Sequence, residues 1–408
     1  MKALIIDPAL HSMGGHHYNA VLRLQDELRA LGVNAPCLGS ATADRRVADD
    51  LCCLPVFTHS VYGRATATAE EFDDMAGRTS RELSQALRWL GTTPDLVILP
   101  CCDQMLARAI AQQFKLGLLP HHGRLLIWFL YGPAPLKAVD DPAIAGLIGE
   151  CRDAIADLSA AVGGHRLRAF CETSDLADFY RALGLEVGVL AGPGLVSLER
   201  LADAAPHQPP TVSCMGFANR PKGYHLLPAA IDHVLRQGPA ASFLIHGILD
   251  NSADAAERRV FDRLVALGEC VTVRQDALAP QDYLALLSQT DLLLLPYDPT
   301  VYRSRGSGLF SDARSAGIPV VATAGCSFAQ PAFDEDWGVA FGDYSPRGLA
   351  GAISSALDDL DGLAVRAALA ARQTRPDLGH VLRETLQAVR ADRPPGFSRI
   401  FRRRAESA

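Results

Sequence analysis

The stretch "DLLLLPYDPTVYRSRGSGLFSDARSAGIPVVAT", residues 291–323, runs from one short apolar segment through a loop and a helical segment into another. Strand, loop, helix, strand is the unit of a parallel α/β sheet. Its later part, from Tyr302 to Thr323, holds three arginines and three glycines. Gly306 and Gly308 stand where the chain enters the helix, so the amides of Ser307, Gly308 and Leu309 are placed to face an anion at the positive end of the helix dipole. Arg303 and Arg305 come just before them and add charge-assisted bonds to the same oxygens. The competing reading is a glycine-rich turn with solvated arginines.

The same unit recurs throughout the chain before this stretch. Upstream come "TVSCMGF", "SFLIHG" and "VTVRQ", each followed by a helical pattern, so that residues 211–323 read as five strands and four helices. Nearer the start, "KALIID", "DLVILP", "LLIWFL" and "EVGVL" alternate with amphipathic segments, among them "AAVGGHRLRAFCETSDLADFYRALG". Between the two series, residues 191–210 are rich in Pro and Ala and hold no strand pattern. The expected fold class is α/β, with a Rossmann-like domain over 1–190 and another over 211–379. A helix at 380–393 is expected to pack back on the first domain. Two such sheets joined by a linker place a cleft between the carboxyl ends of their strands, where open α/β sheets bind ligands.

The chain has 408 residues, 49% of them hydrophobic and 21% charged, with a formal net charge of -7. That balance excludes a disordered chain and argues against a nucleic-acid partner, so any anion site must be a local concentration of positive charge. Ten cysteines occur without a CxxC spacing, which reads as reduced, mostly buried thiols and no metal site. The start "MKALIIDPAL" does not have the form of a secretory signal, and no apolar run reaches the length of a membrane span. A cytoplasmic location follows as the expectation. The end, residues 394–408, is basic and reads as a solvated tail, with weak contact to anionic lipid at the inner face of a membrane as its alternative.

A second constellation, "MGFANRPKG" at 215–223, places Arg220 and Lys222 after the first strand of the second domain. With the arginine-glycine helix start, these cations suit a diphosphate. The segment from Gly306 to Ser311 comes close to the dinucleotide fingerprint GxGxxG, but ten residues separate it from the preceding strand. The fingerprint belongs on the first strand-to-helix turn, so a nicotinamide cofactor is disfavoured.

Residues 211–360 resemble the second domain of GT-B glycosyltransferases, specifically the retaining family 4. "GFANRPKG" keeps that family's Lys-Gly, and "DARSAGIPVVAT" is similar to its "EAMA.G.PVVA" ending. The resemblance implies two Rossmann-like domains facing a central cleft. It also implies transfer of a sugar from a nucleoside diphosphate sugar, with retention, no metal and no other cofactor. Lys222 would hold donor phosphate, Asp312 would take the place of the glutamate that binds ribose, and Arg274 would lie near the base. Ser304 stands where the family has a glutamate near the sugar, and Phe217 where it has an arginine, with Arg220 as the compensating cation. In the first domain, Gly14 and Gly15 occupy the first strand-to-helix loop, where a bare backbone can approach the donor. His16 and His17 are either acceptor-side groups or the decoration of a helix start, and Tyr131 stands where the family tends to carry a histidine. The acceptor is a glycan, a lipid or another molecule. The alternatives are a nucleotide-sugar epimerase of the same fold and a catalytically inactive nucleotide-sugar-binding subunit.

Overall fold

The computed structural model describes residues 1–13, 16–59, 68–135, 137–192, 206–249, 254–276, 278–373 and 378–392. The chain forms two parallel sheets. The first holds β1 (Ala3–Ile6), β2 (Cys37–Ser40), β3 (Cys53–Phe57), β4 (Leu96–Leu99), β5 (Arg124–Phe129), β6 (Leu167–Cys171) and β7 (Val187–Val189) in the order 3-2-1-4-5-6-7. The second holds β8 (Thr211–Cys214), β9 (Ser242–His246), β10 (Val271–Arg274), β11 (Leu292–Leu295), β12 (Val320–Thr323) and β13 (Gly338–Phe341) in the order 10-9-8-11-12-13. In both sheets the order of the strands reverses beside the first strand, between β1 and β4 and between β8 and β11. That switch point opens a crevice at the strands' carboxyl ends.

Helices cover both faces of each sheet, and the strand residues show why. In β11, Leu292 and Leu294 join one buried cluster while Leu293 and Leu295 join the cluster on the opposite face. In β1, Leu4 and Ile6 point one way and Ala3 and Ile5 the other. Alternation along a strand sends successive side chains to opposite faces, so a strand covered on both sides must be apolar throughout. Each fully buried leucine contributes about 2 kcal/mol by removal from water. Every hydrophobic cluster among the described residues lies within one domain, and the domains meet across a polar seam.

The last helix, Leu378–Asp392, returns to the first domain. Leu378, Val381, Leu382, Leu386 and Val389 form its apolar stripe against Ala3, Ile5 and Leu24. Arg124 and Arg168 of the first sheet pair with Asp392 and Glu384 at 2.7 and 3.1 Å.

The second sheet has a sixth strand, β13, which the sequence reading did not resolve. In the first domain, β2, β3 and β6 were likewise not recognised. The segment around Leu167–Cys171 read as helical, yet it is a buried strand between two helices. Five residues are too few for alternation to stand out between two amphipathic helices. All ten cysteines are free thiols, and only Cys52 and Cys270 are exposed. Among the described residues no helix is long and apolar enough to cross a membrane. Most of the 191–210 linker and the basic tail lie outside the described residues.

Candidate functional site

The carboxyl end of β8 continues into the Asn219–Gly223 turn. The Asn219 side chain accepts from the Lys222 amide at 3.1 Å. Gly223 adopts a left-handed φ of +74°, and a Cβ there would lie 1.8 Å from the Pro296 carbonyl oxygen. Only glycine lets this turn press against the loop after β11. The Asp298 amide closes the contact by donating to the Pro221 carbonyl at 2.8 Å.

That contact brings Lys222 toward Arg305. Lys222 Nζ lies over the Tyr297 ring at 5.6 Å and the Arg305 guanidinium over the Tyr302 ring at 4.7 Å, while the two ring centroids are 4.5 Å apart. Adjacent aromatic faces attract both cations and hold them near each other. Burial pulls the Lys222 ammonium down to about 8, and the Arg305 charge adds to that effect. Among the described residues neither cation has a carboxylate within ion-pair distance. The other arginines of the stretch are occupied: Arg303 pairs with Asp140 of the first domain at 2.6 Å, and Arg314 with Glu335 at 3.2 Å.

The helix Gly308–Ala316 begins beside this pair. Ser307 caps it by accepting from the Phe310 amide at 3.2 Å. A helix leaves its first amides without intrahelical acceptors, and no described residue accepts from those of Gly308 or Leu309. Two unpaired donors and two unpaired cations can together hold an anion of at least two charges.

The opposite wall comes from the first domain. His16 opens the helix His16–Ala30, and a Cβ on Gly308 would lie 4.0 Å from His16 Cβ, so two helix starts face each other. His16 is solvent-accessible but ringed by protein, as befits a cleft residue. Burial, and then the charges of His17, Lys222 and Arg305, push its imidazole well below the usual range. These effects favour the neutral imidazole. His17 is buried, with Nδ1 2.8 Å from Oδ2 of Asp7, a fully buried carboxylate at the end of β1. Asp7 also accepts from the Ala9 amide.

Glu172, at the end of β6, is the group that the sequence reading missed. Its Oε1 accepts from the Gly192 amide at 3.1 Å, and its side chain packs directly on Gly306. A Cβ on Gly306 would fall 1.6 Å from Glu172 Oε2 and 2.6 Å from Glu172 Cβ. Burial pushes the carboxyl up to about 7, against the pull of the Gly192 amide and Arg305. Next to it, the Thr173 hydroxyl donates to the Ser304 carbonyl across the seam and accepts from the Leu176 amide at 3.3 Å. The only signal in the sequence was a carboxylate followed by an N-cap threonine, which is hard to notice when the preceding strand is not recognised.

Ser304 is 3% exposed, and its backbone carbonyl lies at the seam. Asp312 is buried on the inner side of its helix, where Oδ2 accepts from the Tyr283 hydroxyl at 2.7 Å. Arg220 is exposed, and its charge acts on His225 and Tyr344 rather than on the Lys222 pair. Arg274 ends β10 with its guanidinium bound to Asp276 at 2.6 and 3.1 Å. Tyr131 lies beneath the first-domain wall, 3% exposed, with its hydroxyl 3.1 Å from Cys101 Sγ. Gly14 and Gly15 lie outside the described residues. Among the described residues, no three His, Cys, Asp or Glu side chains cluster as a metal site. An open groove of about 640 Å³ runs along the seam between Lys137, Asp140 and Asp141 on one side and Thr300 and Arg303 on the other.

Residues 209–359 match the family described as Glycosyl transferases group 1. No curated protein matches the chain. Among solved structures, a glycosyltransferase from Rickettsia africae is similar at a TM-score of 0.66 and 13% identity, covering 96% of this chain and 98% of that one. Anabaena HepE in complex with UDP is similar at 0.63 and 15%, covering 95% and 100%. The UDP-GlcNAc 2-epimerase from Neisseria meningitidis, bound to UDP-GlcNAc, is similar at 0.59 and 13%, covering 95% and 100%. At such identities the likeness is one of fold. The chain is an α/β protein with the two-domain GT-B architecture, and its second domain carries the glycosyltransferase sequence pattern.

Proposed function

We propose that this chain transfers a sugar from a nucleoside diphosphate sugar to an acceptor in the cleft between its domains. The observation that carries this reading is the Lys222 and Arg305 pair, left without carboxylates beside the unpaired amides of Gly308 and Leu309. When the bond between sugar and diphosphate breaks, negative charge grows on the leaving phosphate, and preorganised cations and amides stabilise it most at that moment. The family match of the second domain and the likeness to structures solved with UDP or UDP-GlcNAc support a nucleotide-sugar ligand. The reading includes retention at the sugar carbon and invokes no metal. A glycan, lipid or other hydroxyl-bearing acceptor would approach along the seam groove, with neutral His16 as the group able to take its proton.

A second reading, epimerisation of the nucleotide sugar, is favoured by one specific observation. His16 and Glu172 flank the Gly306–Gly308 segment from the same side, an imidazole and a carboxyl that could move a proton on the sugar. Incubation with nucleotide sugars, followed by separation of the products, distinguishes the readings. Free nucleoside diphosphate with a glycosylated acceptor supports transfer, isomerised donor supports epimerisation, and binding without turnover points to a regulatory subunit.

A further inference from the structure

The carboxyl of Glu172 carries a charge that does not suit the anion site it borders. It packs on Gly306, one residue from Arg305 and two from the free amide of Gly308, yet it makes no ion pair with Arg305 within 4.0 Å. A carboxylate placed there repels a diphosphate, so it cannot belong to the phosphate-binding set. Its position is nevertheless built. Oε1 is held by the Gly192 amide, and Thr173 beside it locks the seam through the Ser304 carbonyl. Among the described residues Oε2 accepts no hydrogen bond.

We propose that Glu172 contacts the sugar of the donor and selects it through hydrogen bonds from the sugar hydroxyls. This rests on the nucleotide-sugar reading of the cleft. With the diphosphate on Lys222, Arg305 and the helix start, the sugar extends from its terminal phosphate along Gly306, toward the first-domain wall. There the neutral, hydroxyl-rich part of the ligand offers the donors that Oε2 lacks, and a carboxylate accepts two hydroxyls at once. Asp312, the other carboxylate within electrostatic reach, is already engaged by Tyr283. The titratable groups around Glu172 are Arg305 and Asp312 from the second domain and Cys101 and Cys171 from the first. Burial leaves the carboxyl partly protonated near pH 7, and hydroxyl donors favour its ionised form, so binding the sugar releases a proton.

The test measures, by calorimetry on the full chain, binding of UDP, GDP, ADP and dTDP and of their glucose, galactose and N-acetylglucosamine conjugates. For the base that binds, the affinity of each conjugate is divided by that of the bare diphosphate, in the wild type, Glu172→Gln and Glu172→Ala. The expected result is that this ratio falls about tenfold or more for the preferred sugar in both variants, as for loss of one hydrogen bond to a charged group. Affinity for the bare diphosphate is retained or rises, because a negative charge beside Arg305 is gone. Glu172→Gln keeps a carbonyl for the Gly192 amide, and an unchanged melting temperature shows that it is folded. Unchanged ratios in both variants overturn the proposal, as does an equal loss for conjugate and bare diphosphate. If no bare diphosphate binds the wild type, the cleft reading fails and this inference with it.

Discussion

The two walls of the cleft are wound alike and carry opposite chemistry. Both sheets reverse beside their first strand, and each places its functional groups on loops at the carboxyl ends. The second-domain wall offers Lys222, Arg305 and unpaired helix amides. The first-domain wall offers neutral His16, the Asp7 and His17 pair, and Glu172. Under the proposed function, one wall would hold the charged half of a nucleotide sugar and the other its neutral half and the acceptor. Fold alone therefore says where a ligand binds, while the loops decide which part of it each wall holds.

The sharpest way to break this division is to remove the cations. Lys222→Ala and Arg305→Ala should each weaken nucleoside diphosphate binding by about 1.5 to 3 kcal/mol, and the double variant by more, read by calorimetry. Unchanged affinity in both would end the anion-site reading. Gly306→Ala probes the seam itself, because the new methyl would collide with Glu172 Cβ, which no side-chain rotation can move away. It should cost about 1 to 3 kcal/mol, seen as a lower melting temperature or slower turnover.

A pH series sharpens the same contrast. Lys222 titrates near 8 in the free protein, and a bound diphosphate raises that value by favouring the charged form. Affinity should be full below about pH 8 and fall by up to tenfold per pH unit above it, until the value in the complex is reached. Lys222→Ala should flatten that fall. The smallest effect is expected from Thr173→Val, which removes a helix cap and the hydroxyl that binds the Ser304 carbonyl. A loss of about 1 to 2 kcal/mol in stability, with diphosphate affinity unchanged, would mark Thr173 as part of the seam rather than of the anion site.

The second-domain wall was largely legible in the sequence because its groups are local. Arg305, Ser307, Gly308 and Leu309 lie within five residues, and Lys222 follows a strand with a clear apolar pattern. The first-domain wall was less so: His16 and His17 stand out in the first strand-to-helix loop, but Glu172 lies more than 150 residues further on and joins them only when the sheet forms. Glu172 was further hidden by β6, a five-residue strand between helical segments. Ser304 stood out by its place in the sequence, and the structure adds that it is buried and that its backbone carbonyl accepts from Thr173 across the seam.

By itself, the sequence determined two α/β domains, the helix start at Gly308 and the cations around it, since apolar period, glycine placement and local charge are properties of short segments. Only the tertiary structure decided that Arg303 pairs with Asp140 while Arg305 has no carboxylate partner among the described residues, and that Glu172 rests on Gly306. Those outcomes depend on how two separately packed domains meet, and a distance across a seam is not encoded in the spacing of residues along the chain.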